Sequence, residues 1–156
     1  MGFLTGKTAI ITGAGRAVLK DGSCGSIGYG IATAYAKEGA NLVITGRNVK
    51  KLEAAKQELE SLYGIKVLTV QADVCAGGDN EATVANVIKQ AVDTFGGIQV
   101  LINNAQASAS GVPLAEHTTE QFDLAIYSGL YAAFYYMKAC YPCLLYTSDA
   151  ADDRIS

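Results

Sequence analysis

Apolar residues follow two rhythms along this chain, and the rhythms take turns. Residues 8–12 form a short β-branched run, the pattern of a strand buried on both faces. Residues 27–38 place apolar side chains on one side of a helix, with Gly39 as its stop. A second strand is predicted at 41–45, ending in Gly46-Arg47-Asn48. A helix at 49–63 follows, with Leu52, Ala55, Leu59 and Leu62 at core spacing and Gly64 after it. The third strand spans 66–72 and closes at Asp73-Val74. The helix at 79–95 brings Val84, Val87, Ile88, Ala91 and Val92 to one side, Gly96-Gly97 ends it, and residues 99–103 make a fourth strand. A last helix, 118–141, is apolar nearly all round. Tyr127, Tyr131 and Tyr135 recur on one face, and Ile126, Leu130 and Phe134 form a neighbouring stripe. The tyrosines are expected in a core or an interface, because a helix with two apolar faces wants two partners. Strands alternating with helices predict an α/β domain with a parallel sheet.

Composition narrows the classes of function. Half of the 156 residues are hydrophobic and 17% are charged, which suits one globular domain and argues against disorder. A net charge of −3 with no cluster of Lys or Arg speaks against a nucleic-acid partner. No basic segment with an apolar core opens the chain, and no apolar run is long enough for a bilayer; the expectation is a cytoplasmic protein without membrane contact. Gly2 is not followed by Ser or Thr at position 6, where Gly6 stands, so the myristoylation pattern is broken. Cys24, Cys75, Cys140 and Cys143 lack metal-ligand spacing, and Cys140-Tyr141-Pro142-Cys143 lacks the context of a redox motif. His117 is the only histidine, which leaves no histidine triad; no metal is expected.

The chemistry lies in the turn after the first strand, Thr12-Gly13-Ala14-Gly15, resumed as Gly25-Ser26-Ile27-Gly28-Tyr29-Gly30-Ile31-Ala32. A strand, a glycine-rich turn and a helix in that order suit a nucleotide pyrophosphate. Glycines admit the backbone close to the phosphates, and free N–H groups and the positive end of the helix dipole face the charge.

That turn and helix entry, Asp73-Val74 after the third strand and Asn103-Asn104-Ala105 after the fourth together resemble the short-chain dehydrogenase/reductase family over residues 4–142. The motifs stand at the carboxyl ends of successive strands, where open α/β sheets bind ligands. Within the family, residues 26–32, 62–67, 101–111 and 126–131 are similar to bacterial NADP-dependent 12-alpha-hydroxysteroid dehydrogenases. The resemblance implies a Rossmann-type doubly wound parallel sheet, incomplete here, with β1–β4 in the order 3-2-1-4. It implies NADP(H) as cofactor, interconversion of a secondary alcohol and a ketone, and a small-molecule substrate, with a bile-acid-type steroid leading. An enoyl or ketoacyl reductase of the same superfamily, or a non-catalytic NADP-binding sensor, is the alternative. The parent protein is expected to be a homo-oligomer.

Site residues follow from the same match. Gly13, Gly15 and Gly28 line the pyrophosphate turn, with Ser26 at the family's middle glycine and Ile27 beside it. The ten residues 16–25 replace a compact turn of three. An NAD enzyme would place an acid at the end of strand two to bind the ribose 2′-OH; here Gly46 is followed by Arg47, whose fork suits a 2′-phosphate. Arg16 or Lys20 adds a second contact. Asp73 and Val74 flank the adenine, and Asn103, Asn104 and Ala105 pass the nicotinamide ribose.

The family's catalytic Ser and Tyr-x-x-x-Lys, with Tyr as general acid/base, are absent. Tyr131, Tyr135 and Tyr136 are followed four residues on by Tyr135, Ala139 and Cys140, and the family's helix asparagine falls at Gly129. From Cys143 to Asp152 the sequence matches a translated transposase adapter used in DNA library preparation. Residues 143–156 are therefore expected to be a non-native tail rather than a genuine acidic one, residues 1–142 the cofactor-binding part, and the chain by itself inactive, with an unpaired fourth-strand edge.

Overall fold

The computed structural model describes residues 2–75 and 80–147. Four parallel strands, β1 (Thr8–Thr12), β2 (Asn41–Gly46), β3 (Val67–Gln71) and β4 (Val100–Ile102), form one sheet in the order β3-β2-β1-β4, as expected. Register runs from Thr8 opposite Asn41 to Thr12 opposite Thr45, and Ala9 to Ile11 also face Val100 to Ile102. Helices α1 (Ile27–Lys37), α2 (Val49–Tyr63) and α3 (Asn80–Phe95) connect successive strands. The expected start of α3 at Asp79 lies outside the described residues.

Why the strands read as unbroken apolar runs is visible in the core. Ala9, Ile11, Leu42 and Ile44 point to one face of the sheet and pack with Tyr29, Ala32 and Ala36 of α1 and Leu52, Ala55 and Leu59 of α2. Ile10 and Val43 point to the other, against Val84, Val87 and Ala91 of α3 and against Tyr136 and Cys140. With helices on both faces, period-two alternation places all of β1 and the middle of β2 in one core or the other, while β3 and β4 toward the edges are less buried. Helix starts are set by side-chain caps: Ser26 for α1, Asn48 for α2, and Thr118 with Gln121 in a reciprocal capping box for the helix that follows.

The last helical stretch departs from the expected single helix at 118–141. It consists of α4 (Thr119–Ile126), a π-helical turn (Tyr127–Tyr131) and α5 (Ala132–Thr147). Ser128 explains the widened turn: its hydroxyl bonds the Leu124 carbonyl at 2.7 Å and accepts from the Ala107 N–H at 2.9 Å, pinning the loop after β4 against the helix. Pro142 does not end α5, because Cys143 and Leu144 beyond it pack on the α3 side of the core. Residues 143–147 of the expected tail therefore continue a helix, and residues 148–156 lie outside the described ones.

Of the core or interface expected for the tyrosine stripe, the core holds only for Tyr135, which is partly buried against it. The buried face carries Ser128, Ala132, Tyr136 and Cys140, whereas Tyr127, Leu130, Tyr131, Phe134 and Met137 are exposed. Small side chains at 128 and 132 let the helix approach the sheet, and that leaves the bulky stripe outside. Tyr127 and Tyr131 stack on each other instead, with ring centroids 5.1 Å apart. Among the described residues no helix is long and apolar enough to cross a membrane, and no group of His, Cys, Asp and Glu could hold a metal ion.

Candidate functional site

The carboxyl ends of all four strands open into one cleft of ≈ 220 Å³. Gly13, Gly46, Arg47, Asp73, Val74, Asn104 and Ala105 line it, together with Cys75, Gln106 and Ala107. A smaller cavity of ≈ 120 Å³ adjoins it and is lined by Asn103, Gln106, Ser128, Gly129 and Tyr136 among others. Parallel strand ends with diverging loops create such a crevice without further design.

Its floor is built by close backbone approach. Gly13 adopts φ +69°, a conformation that disfavours side chains. Gly28 has no room for one: a Cβ there would lie 2.2 Å from the Gly13 carbonyl oxygen and 2.5 Å from Asn104 Nδ2. Strand β1 and helix α1 meet at that crossing. Asn104 locks it, donating from Nδ2 to the Thr12 carbonyl at 2.9 Å and the Gly13 carbonyl at 3.3 Å. The Thr12 hydroxyl accepts the Asn104 and Ala105 N–H groups at 3.0 and 2.9 Å. Asn104 thus acts as a bracket between the first and fourth strand ends.

The hydrogen-bond pattern narrows which donors of the turn are free. The N–H groups of Gly13 and Ala14 both donate to the Thr45 carbonyl, at 2.9 and 3.1 Å, and that of Arg16 donates to the Lys51 carbonyl at 2.8 Å. Donors remain at the first turn of α1, where helix geometry leaves the Ile27 and Gly28 N–H groups without intrahelical partners. Ser26 takes the Tyr29 N–H with its own hydroxyl, at 3.4 Å. The side chain of Ile27 is exposed beside these donors.

Arg47 stands at the cleft rim immediately before the Asn48 cap of α2, and its carbonyl accepts from Gln71 Nε2 at 3.0 Å. Asp73 accepts the Cys75 N–H at 2.9 Å. Burial, and after it the Asp73 carboxylate, push the Cys75 thiol up. Arg16 and Gly15 stand apart from the cleft. Gly15 packs on Lys51, and the Arg16 guanidinium pairs with Glu58 on α2, in a groove with Ala54, Gln57, Ser61 and Leu62.

The sequence reading missed Thr12, Cys75, Gln106, Ala107 and Ser128. Cys75 had a usable signal, since it directly follows Asp73-Val74 at a strand's carboxyl end. Ser128 had none, because its partner Ala107 is 21 residues away.

The family model for short chain dehydrogenases matches residues 7–152. A 12alpha-hydroxysteroid dehydrogenase of Clostridium sp. is 60% identical over 144 residues, which are 92% of this chain and 53% of that protein. Hydroxysteroid dehydrogenase-like protein 2 of Rattus norvegicus is 33% identical over 92% of this chain and 26% of its own length. Among solved structures, L-sorbose reductase from Gluconobacter frateurii complexed with NADPH and L-sorbose superposes with TM-score 0.76 at 29% identity, over 90% of this chain and 48% of that one. An alcohol dehydrogenase from Thermococcus sibiricus complexed with 5-hydroxy-NADP gives TM-score 0.78 at 30% identity, over 90% and 54%. The chain spans about half the length of the first curated relatives it matches. A Rossmann-type sheet, a glycine crossing under α1 and the match over residues 7–152 place this chain in the short-chain dehydrogenase family.

Proposed function

We propose that this chain forms the NADP(H)-binding part of an oxidoreductase that interconverts a secondary alcohol and a ketone, with a bile-acid-type hydroxysteroid as substrate. One juxtaposition carries the reading: a glycine crossing too close for any side chain opens into the same cleft whose far rim holds Arg47. A dinucleotide fits this pattern, because its pyrophosphate needs the bare backbone and its 2′-phosphate needs a cation.

The Ile27 and Gly28 N–H groups, at the positive end of α1, are the donors for the pyrophosphate, with Gly13 and Ser26 shaping the approach. Arg47 pairs with the 2′-phosphate through its fork, where an acid would select NAD(H). Asp73 and Val74 border the adenine, and Asn103, Asn104 and Ala105 border the nicotinamide ribose. When bound, NADP(H) supplies or accepts the hydride. The solved neighbours in complex with NADPH and with 5-hydroxy-NADP support the cofactor, and the clostridial enzyme supports the steroid.

The chain carries no Tyr-x-x-x-Lys after β4, and Gly129 occupies the position of the family's helix asparagine. The reading is that it binds cofactor without completing the reaction, and that residues 143–156 are a non-native tail. The exposed apolar face of α4 and α5 supports a parent protein that associates with itself. Resequencing the locus past the Pro142 codon tests the tail; a reading frame that ends naturally near Ser156 overturns it. Calorimetric titration with NADPH and NADH tests the cofactor. Wild-type chain is expected to prefer NADPH and Arg47→Ala to lose most of that preference; an unchanged preference sinks the assignment of Arg47.

A further inference from the structure

One side-chain cluster outside the cleft joins three separate segments. Arg16 opens the enlarged loop, Tyr29 lies in the first turn of α1, and Glu58 stands on α2. One Glu58 carboxylate oxygen accepts from Arg16 Nε, and the other accepts from the Tyr29 hydroxyl. The Tyr29 ring is buried, so its hydroxyl needs an internal acceptor, and the carboxylate that provides one is balanced by the guanidinium. The Tyr29 hydrogen bond, then that of Arg16, hold the Glu58 carboxyl below the usual carboxylate range.

Backbone contacts define where Arg16 can reach. Its N–H is held by the Lys51 carbonyl, and Gly15 lies on Lys51 so closely that a Cβ would be 3.0 Å from that side chain's Cβ. Lys51 and Glu58 lie seven residues apart on one face of α2, a span of ~10 Å. The Arg16 side chain therefore runs along α2, away from the helix start where Arg47 stands. The loop of residues 16–25 is closed on itself by the Gly25 N–H to the Ala17 carbonyl, at 2.7 Å, and by the bridge between Val18 and Cys24. Its far end is Ser26, the cap of α1. Fixing Arg16 fixes the base of the loop, and the loop leads directly into the α1 donors.

We propose that Glu58 is a positioning residue: by clasping Arg16 and Tyr29 it seats the enlarged loop beside the first turn of α1, and it keeps Arg16 out of the 2′-phosphate site, leaving discrimination to Arg47. The second half rests on the NADP(H) reading above; the clasp itself does not.

The test uses the whole chain in wild-type form and as E58A, E58Q, R16A and R47A. Hydrogen exchange without cofactor should show amide protection across residues 16–30 falling about tenfold in E58A and R16A, the scale of one charge-assisted hydrogen bond. Protection in β1 and β2 should be unchanged, and E58Q should recover part of the loss because glutamine still accepts from Tyr29. Unchanged exchange across residues 16–30 in E58A and R16A overturns the clasp. Should E58A fail to fold, R16A and E58Q decide the same point. Calorimetry with NADPH and NADH supplies the second arm. R16A is expected to weaken both cofactors by the same factor and leave their ratio intact, while R47A collapses the ratio. Collapse of the ratio in R16A makes Arg16 a phosphate ligand and refutes the proposal. Wild-type chain that binds neither cofactor refutes the NADP(H) reading and the assigned discrimination, while the exchange arm still decides the clasp.

Discussion

A Cβ at position 28 would sit 2.2 Å from a carbonyl oxygen, closer than any relaxation of flexible side chains can relieve. Gly28→Ala should therefore push α1 off β1 and cost about 1–3 kcal/mol, measured by urea unfolding, the range for overpacked sites. A cost near zero would mean that the crossing is looser than the structure has it. Tyr136 presents the opposite case. Among the described residues its buried hydroxyl makes no well-formed hydrogen bond, with Thr45 near enough only to offset a little of the burial that pushes its pKa up to about 12. Removing an unsatisfied hydroxyl can be neutral or stabilising, so Tyr136→Phe is expected to unfold at the same or higher temperature. Cys140 is buried beside it, and burial pushes that thiol up to about 12. Thiolate is the reactive form, so Cys140 should resist alkylation at pH 8 while exposed Cys24 reacts, read by peptide mass mapping.

At the scale of elements, Glu58 links the loop, α1 and α2, and the link has a pH signature. Its folded-state pKa lies below the unfolded value of about 4.3. The linked stability is thus present in full above that unfolded value and is lost as pH falls through the folded one. Urea unfolding of wild type and Glu58→Gln should differ at pH 7 and converge at low pH; a constant difference would remove the carboxylate charge from the account. The α4–α5 stretch shows the limit of periodicity at this scale. Repetition of Tyr127, Tyr131 and Tyr135 correctly marked a helix face. Which face meets the sheet was decided by the small residues Ser128 and Ala132, and by a hydrogen bond from a loop 21 residues away.

For the molecule as a whole, the half-buried β4 pairs only with β1 among the described residues, and Leu130, Phe134, Met137 and Tyr141 are exposed together on α5 and the turn before it. Apolar patches of this kind drive association. Leu130→Glu combined with Phe134→Glu is expected to shift the chain toward monomer in sedimentation velocity; an unchanged distribution would exclude this face. The four strands and three connecting helices were legible from the chain alone, since apolar runs and helices with one apolar stripe leave local signatures, whereas the strand order came from the family resemblance. The glycine turn with Gly13 and Gly28 was legible from its place between a strand and a helix, while Arg47, Asp73 and Asn104 were reached through the resemblance. Other properties are set by partners distant in sequence. The Thr45 carbonyl takes the Gly13 and Ala14 N–H groups, Glu58 draws Arg16 along α2, and Thr12 with Asn104 brackets the crossing. Hydrogen bonds and close packing between remote segments carry no periodicity, so only the tertiary structure could decide which amides stay free and which arginine faces the cleft.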